Sequence, residues 1–162
     1  MTPCPPSARQ RGSFLLEALI AILIVALGVL GSVGLLARSM QDVDEARNRA
    51  EAASLANGLI AQMWMTDRIT DNLDALYASD PGTGTGYVDF KALVASRLPN
   101  AGLFEQDVVV ADGPIAPIAP APRTNSMVTI TLRWQPASER TEQTTPLPPH
   151  QYSVTASIGA NQ

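Results

Sequence analysis

Cysteine, histidine and positive charge are all scarce in this chain, and each shortage closes off a class of chemistry. There is one cysteine, Cys4, and one histidine, His150, among 162 residues. A single thiol cannot close an internal disulfide, so any folded domain must be held by its core. Zinc would have to be ligated by carboxylates almost alone, an unusual donor set. His150 follows Pro148 and Pro149 and reads as a solvated loop residue, not as a base or a ligand. The formal charge is −4, so there is no cationic surplus to neutralise phosphates, and no direct nucleic-acid partner is expected. Gly82, Gly84 and Gly86 lack the following Lys-Ser/Thr and the strand–helix setting of a phosphate loop. Asp71, Asp74 and Asp80 do not follow a calcium-loop pattern and read as helix-surface and turn residues. Trp64 and Trp134 read as core. These observations lead to an expectation of no enzyme activity: no catalytic residue, no metal and no cofactor.

One more absence is local. From Ala18 to Ala37 there is no charged residue and nothing more polar than Ser32. Twenty helical residues span roughly 30 Å, the thickness of a bilayer hydrocarbon core. The whole-chain mean hydropathy of +0.07 is therefore raised by one segment over an otherwise ordinary soluble composition. A secretory signal has a shorter apolar region, about 7–15 residues, followed by a small-residue cleavage site. A plain membrane anchor fits the length but leaves Glu17 unexplained, because an acid within such a run costs on the order of 2.5–3.5 kcal/mol at the helix centre and less near its end. The residues before the run, MTPCPPSARQRG, hold three prolines and do not support a stable helix. Arg9 and Arg11 precede the run, whereas Arg38 beyond it is soon followed by Asp42, Asp44 and Glu45. That arginine balance favours a cytoplasmic N-terminus. Gly28, Gly31 and Gly34 recur at three-residue spacing, suited to close helix packing or to a stretch that loosens easily.

The stretch RGSFLLEALIAILIVALGVLG resembles the N-terminal signal of type IV prepilins and pseudopilins. In that family a glycine precedes the scissile bond and a glutamate lies at the fifth mature position. Carried onto this sequence, the resemblance implies processing between Gly12 and Ser13, with Arg9 and Arg11 as the leader charges. Glu17 is then the acid that sets assembly and register. The family most often begins its mature chain with phenylalanine; here Ser13 comes first and Phe14 second. A glycine before the bond lets a peptidase approach the backbone closely. The resemblance further implies N-methylation of the freed amine of Ser13, which stays cationic and pairs with Glu17 of its own or a neighbouring subunit. Loss of the leader, with Cys4, Arg9 and Arg11, takes the formal charge from −4 to −6. The implied partners are other major and minor pilins, a prepilin peptidase and N-methyltransferase, an inner-membrane assembly platform, and membrane lipid before assembly.

Residues 1–12 are thus expected to form a leader, 13–37 the membrane half of a long helix, 38–66 its amphipathic half and 67–162 a head domain. Gln41–Trp64 lacks proline, and Ala52, Leu55, Ala56, Leu59, Ile60 and Met63 fall on one helical face. Ile69–Tyr77 and Val88–Leu98 read as short helices, with a flexible turn at Asp80–Gly86. Gln106–Ala111, Met127–Trp134 and Tyr152–Ile158 read as strands. Ile115–Pro122 is a proline-rich connector, and Ala137–His150 is a polar loop. The fold expected is α+β: a long N-terminal helix packed on a small antiparallel sheet, pilin-like. In the head, Leu55-Ala56 with Met63, Leu98-Pro99, the strand VTITLRWQ and the GVLG at Gly28–Gly31 are similar to the PilV-type minor pilins, the type IV pilus modification proteins. That similarity implies a pilus subunit that promotes assembly, inserted in the inner membrane with a periplasmic head and later at the cell surface. A minor pseudopilin of a type II secretion system stays open as an alternative. So does a membrane-tethered periplasmic binding protein or enzyme.

Overall fold

Uninterrupted helix formers carry the N-terminal helix well past the apolar run. In the computed structural model, which describes residues 13–113, 125–136 and 148–159, α1 is a single helix of 53 residues, Ser13–Met65. It is followed by α2 (Thr70–Tyr77), α3 (Thr85–Arg97), a 3-10 turn at Ala101–Leu103, and strands β1 (Asp107–Asp112), β2 (Asn125–Trp134) and β3 (His150–Gly159). The chain divides into two compact units, Met1–Asp44 and Glu45–Gln162.

In the first unit the described residues are helical, and almost all of their side chains are exposed. α1 is long and apolar enough to cross a membrane, with a mean hydropathy of 2.8 over its most apolar window and none of that window buried. Such a surface, including Leu19, Leu23, Leu27 and Leu30, is far larger than the apolar patches that soluble monomers expose.

The second unit has a core of its own. Its part of α1 contributes Ala52, Ala56, Leu59 and Met63, all buried, with Leu55 and Ile60 beside them. These recur at i, i+4 and i+7, the stripe by which a helix covers a sheet. β2 lies between antiparallel β1 and β3. Alternation along β2 points Ser126, Val128, Ile130, Leu132 and Trp134 inward, each with no exposed surface. The register places Val108 opposite Ile130 and Val154 opposite Ile130 on the other side, so one apolar row crosses all three strands. α2 adds Leu73 and Tyr77; α3 adds Tyr87, Phe90 and Val94, with Leu98 just beyond its end. The arrangement is α+β: the long N-terminal helix packed on a small three-stranded antiparallel sheet.

Three local expectations are corrected. α3 begins at Thr85, three residues ahead of Val88, so Gly84 is its N-cap and Gly86 lies within it. A Cβ on Gly84 would sit 2.3 Å from the Leu76 carbonyl oxygen and 2.5 Å from that of Ala75. Gly84 is therefore a close-approach residue between α2 and α3, not a tether in a flexible turn. Gly82 in the same stretch has φ +72°, which favours glycine. His150 opens β3 instead of closing a loop. In register with Trp134, its ring stacks on the indole at 6.1 Å between centroids and an interplanar angle of 25°. Trp64 is 44% exposed and is not a core residue; the Arg68 guanidinium lies 5.4 Å from its ring centroid, a cation–π contact. The expected connector at Ile115–Pro122 lies outside the described residues, as do residues 137–147 of the expected loop.

Candidate functional site

Of the residues singled out for processing and assembly, Ser13, Phe14 and Glu17 lie in the first two turns of α1. Cys4, Arg9, Arg11 and Gly12 lie outside the described residues. Ser13 is the first residue of α1. Phe14 is 76% exposed, and Glu17 is exposed one helical turn further on. The i, i+4 relation puts the Ser13 and Glu17 positions on the same helical face. Around the carboxylate, Leu16, Ile20, Ala21 and Ile24 line a shallow, open depression. All four are apolar, and Glu17 is the one acid between Ser13 and Gln41, so it sits on an exposed hydrocarbon face. Such a group calls for a cation from outside the helix once the face leaves water.

In the second unit the polar groups are tied into structure. Arg49 reaches Glu45 at 2.9 Å, and His150 Nδ1 lies 3.5 Å from the same carboxylate. That links the start of β3 to the opening turn of this unit's helix. Arg133 donates to Asp107 at 2.7 Å and to the Glu105 carbonyl at 2.8 Å. The buried Thr70 and Ser126 hydroxyls meet at 2.7 Å. Gln106, 1% exposed, donates through Nε2 to the carbonyls of Ala101 at 2.9 Å and of Phe104 and Arg133 at 3.1 Å. Its Oε1 accepts from the Arg133 N–H at 2.8 Å. Among the described residues, Trp134 Nε1 is buried without a hydrogen-bond partner, and no three His, Cys, Asp or Glu side chains converge as they would to hold a metal ion.

Tyr87 is the titratable group whose environment most clearly matters. Its hydroxyl donates to the Gln106 carbonyl at 2.7 Å. Burial pushes its ionisation above the usual tyrosine value of 10.0, and the negative charges of Glu105 and Asp107 push it the same way. The folded state therefore holds this proton more tightly than the unfolded chain does. The resulting stability is fully present below pH ~10 and is lost as pH rises through the folded value. Tyr87→Phe should lower stability by about 1 kcal/mol at neutral pH through the lost hydrogen bond. It should also flatten the alkaline limb, so that urea midpoints of variant and wild type converge as pH climbs above ~10.

Sequence reasoning located the apolar helix and its acid but missed Gln106, Tyr87 and Glu45 as structural groups. The available signal for Gln106 was an amide two residues before the β-branched run Val108–Val110; for Glu45 there was none. Comparison with known protein families, with curated proteins and with solved structures finds no match to this chain.

Proposed function

We propose that the chain is a minor pilin, a non-enzymatic structural and assembly-promoting subunit of a type IV pilus, of the PilV type. A prepilin peptidase would cut it between Gly12 and Ser13 and N-methylate the new terminus. Before assembly α1 holds the subunit in the inner membrane, N-terminus toward the cytoplasm and head in the periplasm; it then packs among other pilins, and the head reaches the cell surface. The observation that carries the reading is a lone, exposed Glu17 on a fully apolar helix face, five residues after Gly12. An anchor has no use for that acid. A subunit that must pair with the amine of a neighbouring helix does. The separate core of the head supports the reading too, since such a domain can keep its fold while α1 exchanges lipid for protein.

The test is the mass of the N-terminal peptide of the membrane-extracted protein. A chain starting at methylated Ser13 is expected. A chain starting at Met1 would sink the proposal in favour of a tethered periplasmic protein.

A further inference from the structure

The two outer edges of the sheet are finished differently. β1 is six residues long and has Asp107 and Asp112 at its ends. Its Val108 carbonyl is capped by Ser79, whose N–H donates at 2.9 Å and whose hydroxyl donates at 3.2 Å. A short, acidic, capped edge resists further strands. β3 is ten residues long, HQYSVTASIG, with no Asp, Glu, Lys, Arg or Pro. Among the described residues β2 is the strand that pairs with it, and from Gln151 to Ile158 it carries none of the usual edge protections.

Burial falls away toward the same edge. On the inward face, Val128, Ile130 and Leu132 of β2 have no exposed surface, while Tyr152, Val154 and Ala156 opposite them on β3 are half-buried. The apolar row thus runs to β3 and is left half covered. On the outward face, Ser153, Thr155 and Ser157 are exposed. Their hydroxyls pair at 3.1 Å with Thr131, Thr129 and Asn125 respectively. Among the described residues no further strand pairs with the outward main-chain groups of Gln151, Ser153, Thr155 and Ser157. The Arg68 guanidinium caps the edge beyond them, donating to the Gly159 carbonyl at 3.0 Å. An arriving strand would meet an apolar shelf on one side of residues 151–158 and hydroxyls on the other.

We propose that the outer edge of β3 is a strand-addition site that takes an extended, uncharged segment of a partner protein, alternating apolar and polar residues. Charge matching selects that occupant. A charged side chain on the segment's inward row would be desolvated against Tyr152 and Val154, and β3 offers no counter-charge. Alternation is required because successive residues face opposite sides of the sheet. Addition of β3 of a further copy onto β1 in series is disfavoured, because Ser79 already holds the outward Val108 carbonyl and Asp107 and Asp112 stand at the ends of that short edge. The site lies on the head and is independent of the role given to Glu17.

The probe is an acetylated, amidated octapeptide of alternating valine and threonine. A peptide of the same composition in two blocks serves as the control. Hydrogen–deuterium exchange on the detergent-solubilised full chain reads the outward-pointing amides of residues 151–158. Saturating alternating peptide should slow them about ten-fold or more, with no change in β1. Thr155→Lys should abolish the slowing while the melting temperature holds; if that variant folds poorly, Gln151→Lys at the same edge replaces it. The proposal is overturned by no slowing or by equal slowing with the block peptide. It is also overturned by slow exchange before any peptide is added, which would mean that the chain covers its own edge. Slowing that grows with protein concentration alone would assign the edge to a second copy and overturn it likewise.

Discussion

Under the proposed function, Glu17→Ala should leave the protein in the membrane but lower its incorporation into filaments to roughly a tenth of the wild-type level or less. The argument separates two steps that respond to the acid with opposite sign. Insertion is hindered by a carboxylate in an apolar run, so alanine should insert at least as well as glutamate. Assembly, on that proposal, would replace lipid and interfacial water around α1 with the helices of neighbours. The depression formed by Leu16, Ile20, Ala21 and Ile24 offers the carboxylate no hydrogen-bond donor of its own. Under the proposed function, its counter-ion is the amine freed at Ser13 of a neighbour. Removing one member of a desolvated pair typically costs about 3–5 kcal/mol, because the other charge is left unpaired. A ten-fold effect needs only about 1.4 kcal/mol, so it is a lower bound.

Glu17→Gln refines the test. It keeps the shape and hydrogen-bonding capacity of the side chain and removes the charge, so it should fail nearly as badly as alanine if the interaction is an ion pair. The measurement is the ratio of subunit in sheared filaments to subunit in the membrane fraction. Normal incorporation of the alanine variant would remove pairing from the account. Normal incorporation of the glutamine variant alone would replace the ion pair with a neutral hydrogen bond.

The features legible in the sequence were those with a local period. The stripe from Ala52 to Met63 and the alternation from Met127 to Trp134 each announce an element, because burial of one face imposes 3.6 or 2 on the residues themselves. Both elements are present, with strand ends displaced by up to two residues. What escaped were residues whose role depends on partners remote in the chain. Nothing around His150 signals that β2–β3 register will lay it on Trp134 or bring it to Glu45. Trp64 follows Met63 in a helix, and the rotation of about 100° per residue carries its ring out of the core that Met63 enters. The glycines between Asp80 and Gly86 looked like slack because composition cannot distinguish freedom from close approach. Only the carbonyls of Ala75 and Leu76 beside Gly84 do that. The candidate assembly site was more legible than the head, since an acid in a charge-free helix is anomalous without any tertiary information.

Gln106 is where a head substitution should do most harm, and Gln106→Leu should lower stability by about 3–4 kcal/mol. β1 begins at Asp107, paired with Thr131, so β2 extends beyond the ladder at Leu132 and Arg133. The Gln106 side chain takes over there. Its Oε1 accepts from the Arg133 N–H and its Nε2 donates to the Arg133 carbonyl, as a strand's peptide group would. The Arg133 N–H can pair only with an oxygen, which fixes the orientation of the amide. The same Nε2 reaches Ala101 and Phe104, fastening the 3-10 turn to the sheet, and its two hydrogens are shared among three carbonyls. Leucine has similar volume but would strand a buried N–H and several carbonyls, each at about 1–3 kcal/mol where water cannot reach. For a domain of this size the melting temperature should fall by roughly 10–20 °C. Gln106→Glu sharpens the point. A carboxylate keeps the acceptor for Arg133 N–H but sets negative charge against three carbonyl oxygens. It should therefore be worse than leucine at pH 7 and should recover as acid protonates it, since a proton then restores one donor. Thermal melts of the full chain at pH 7 and pH 4, each against wild type at the same pH, read both effects. A leucine variant within about 1 kcal/mol of wild type would show that water replaces the amide and that the junction is not held by Gln106.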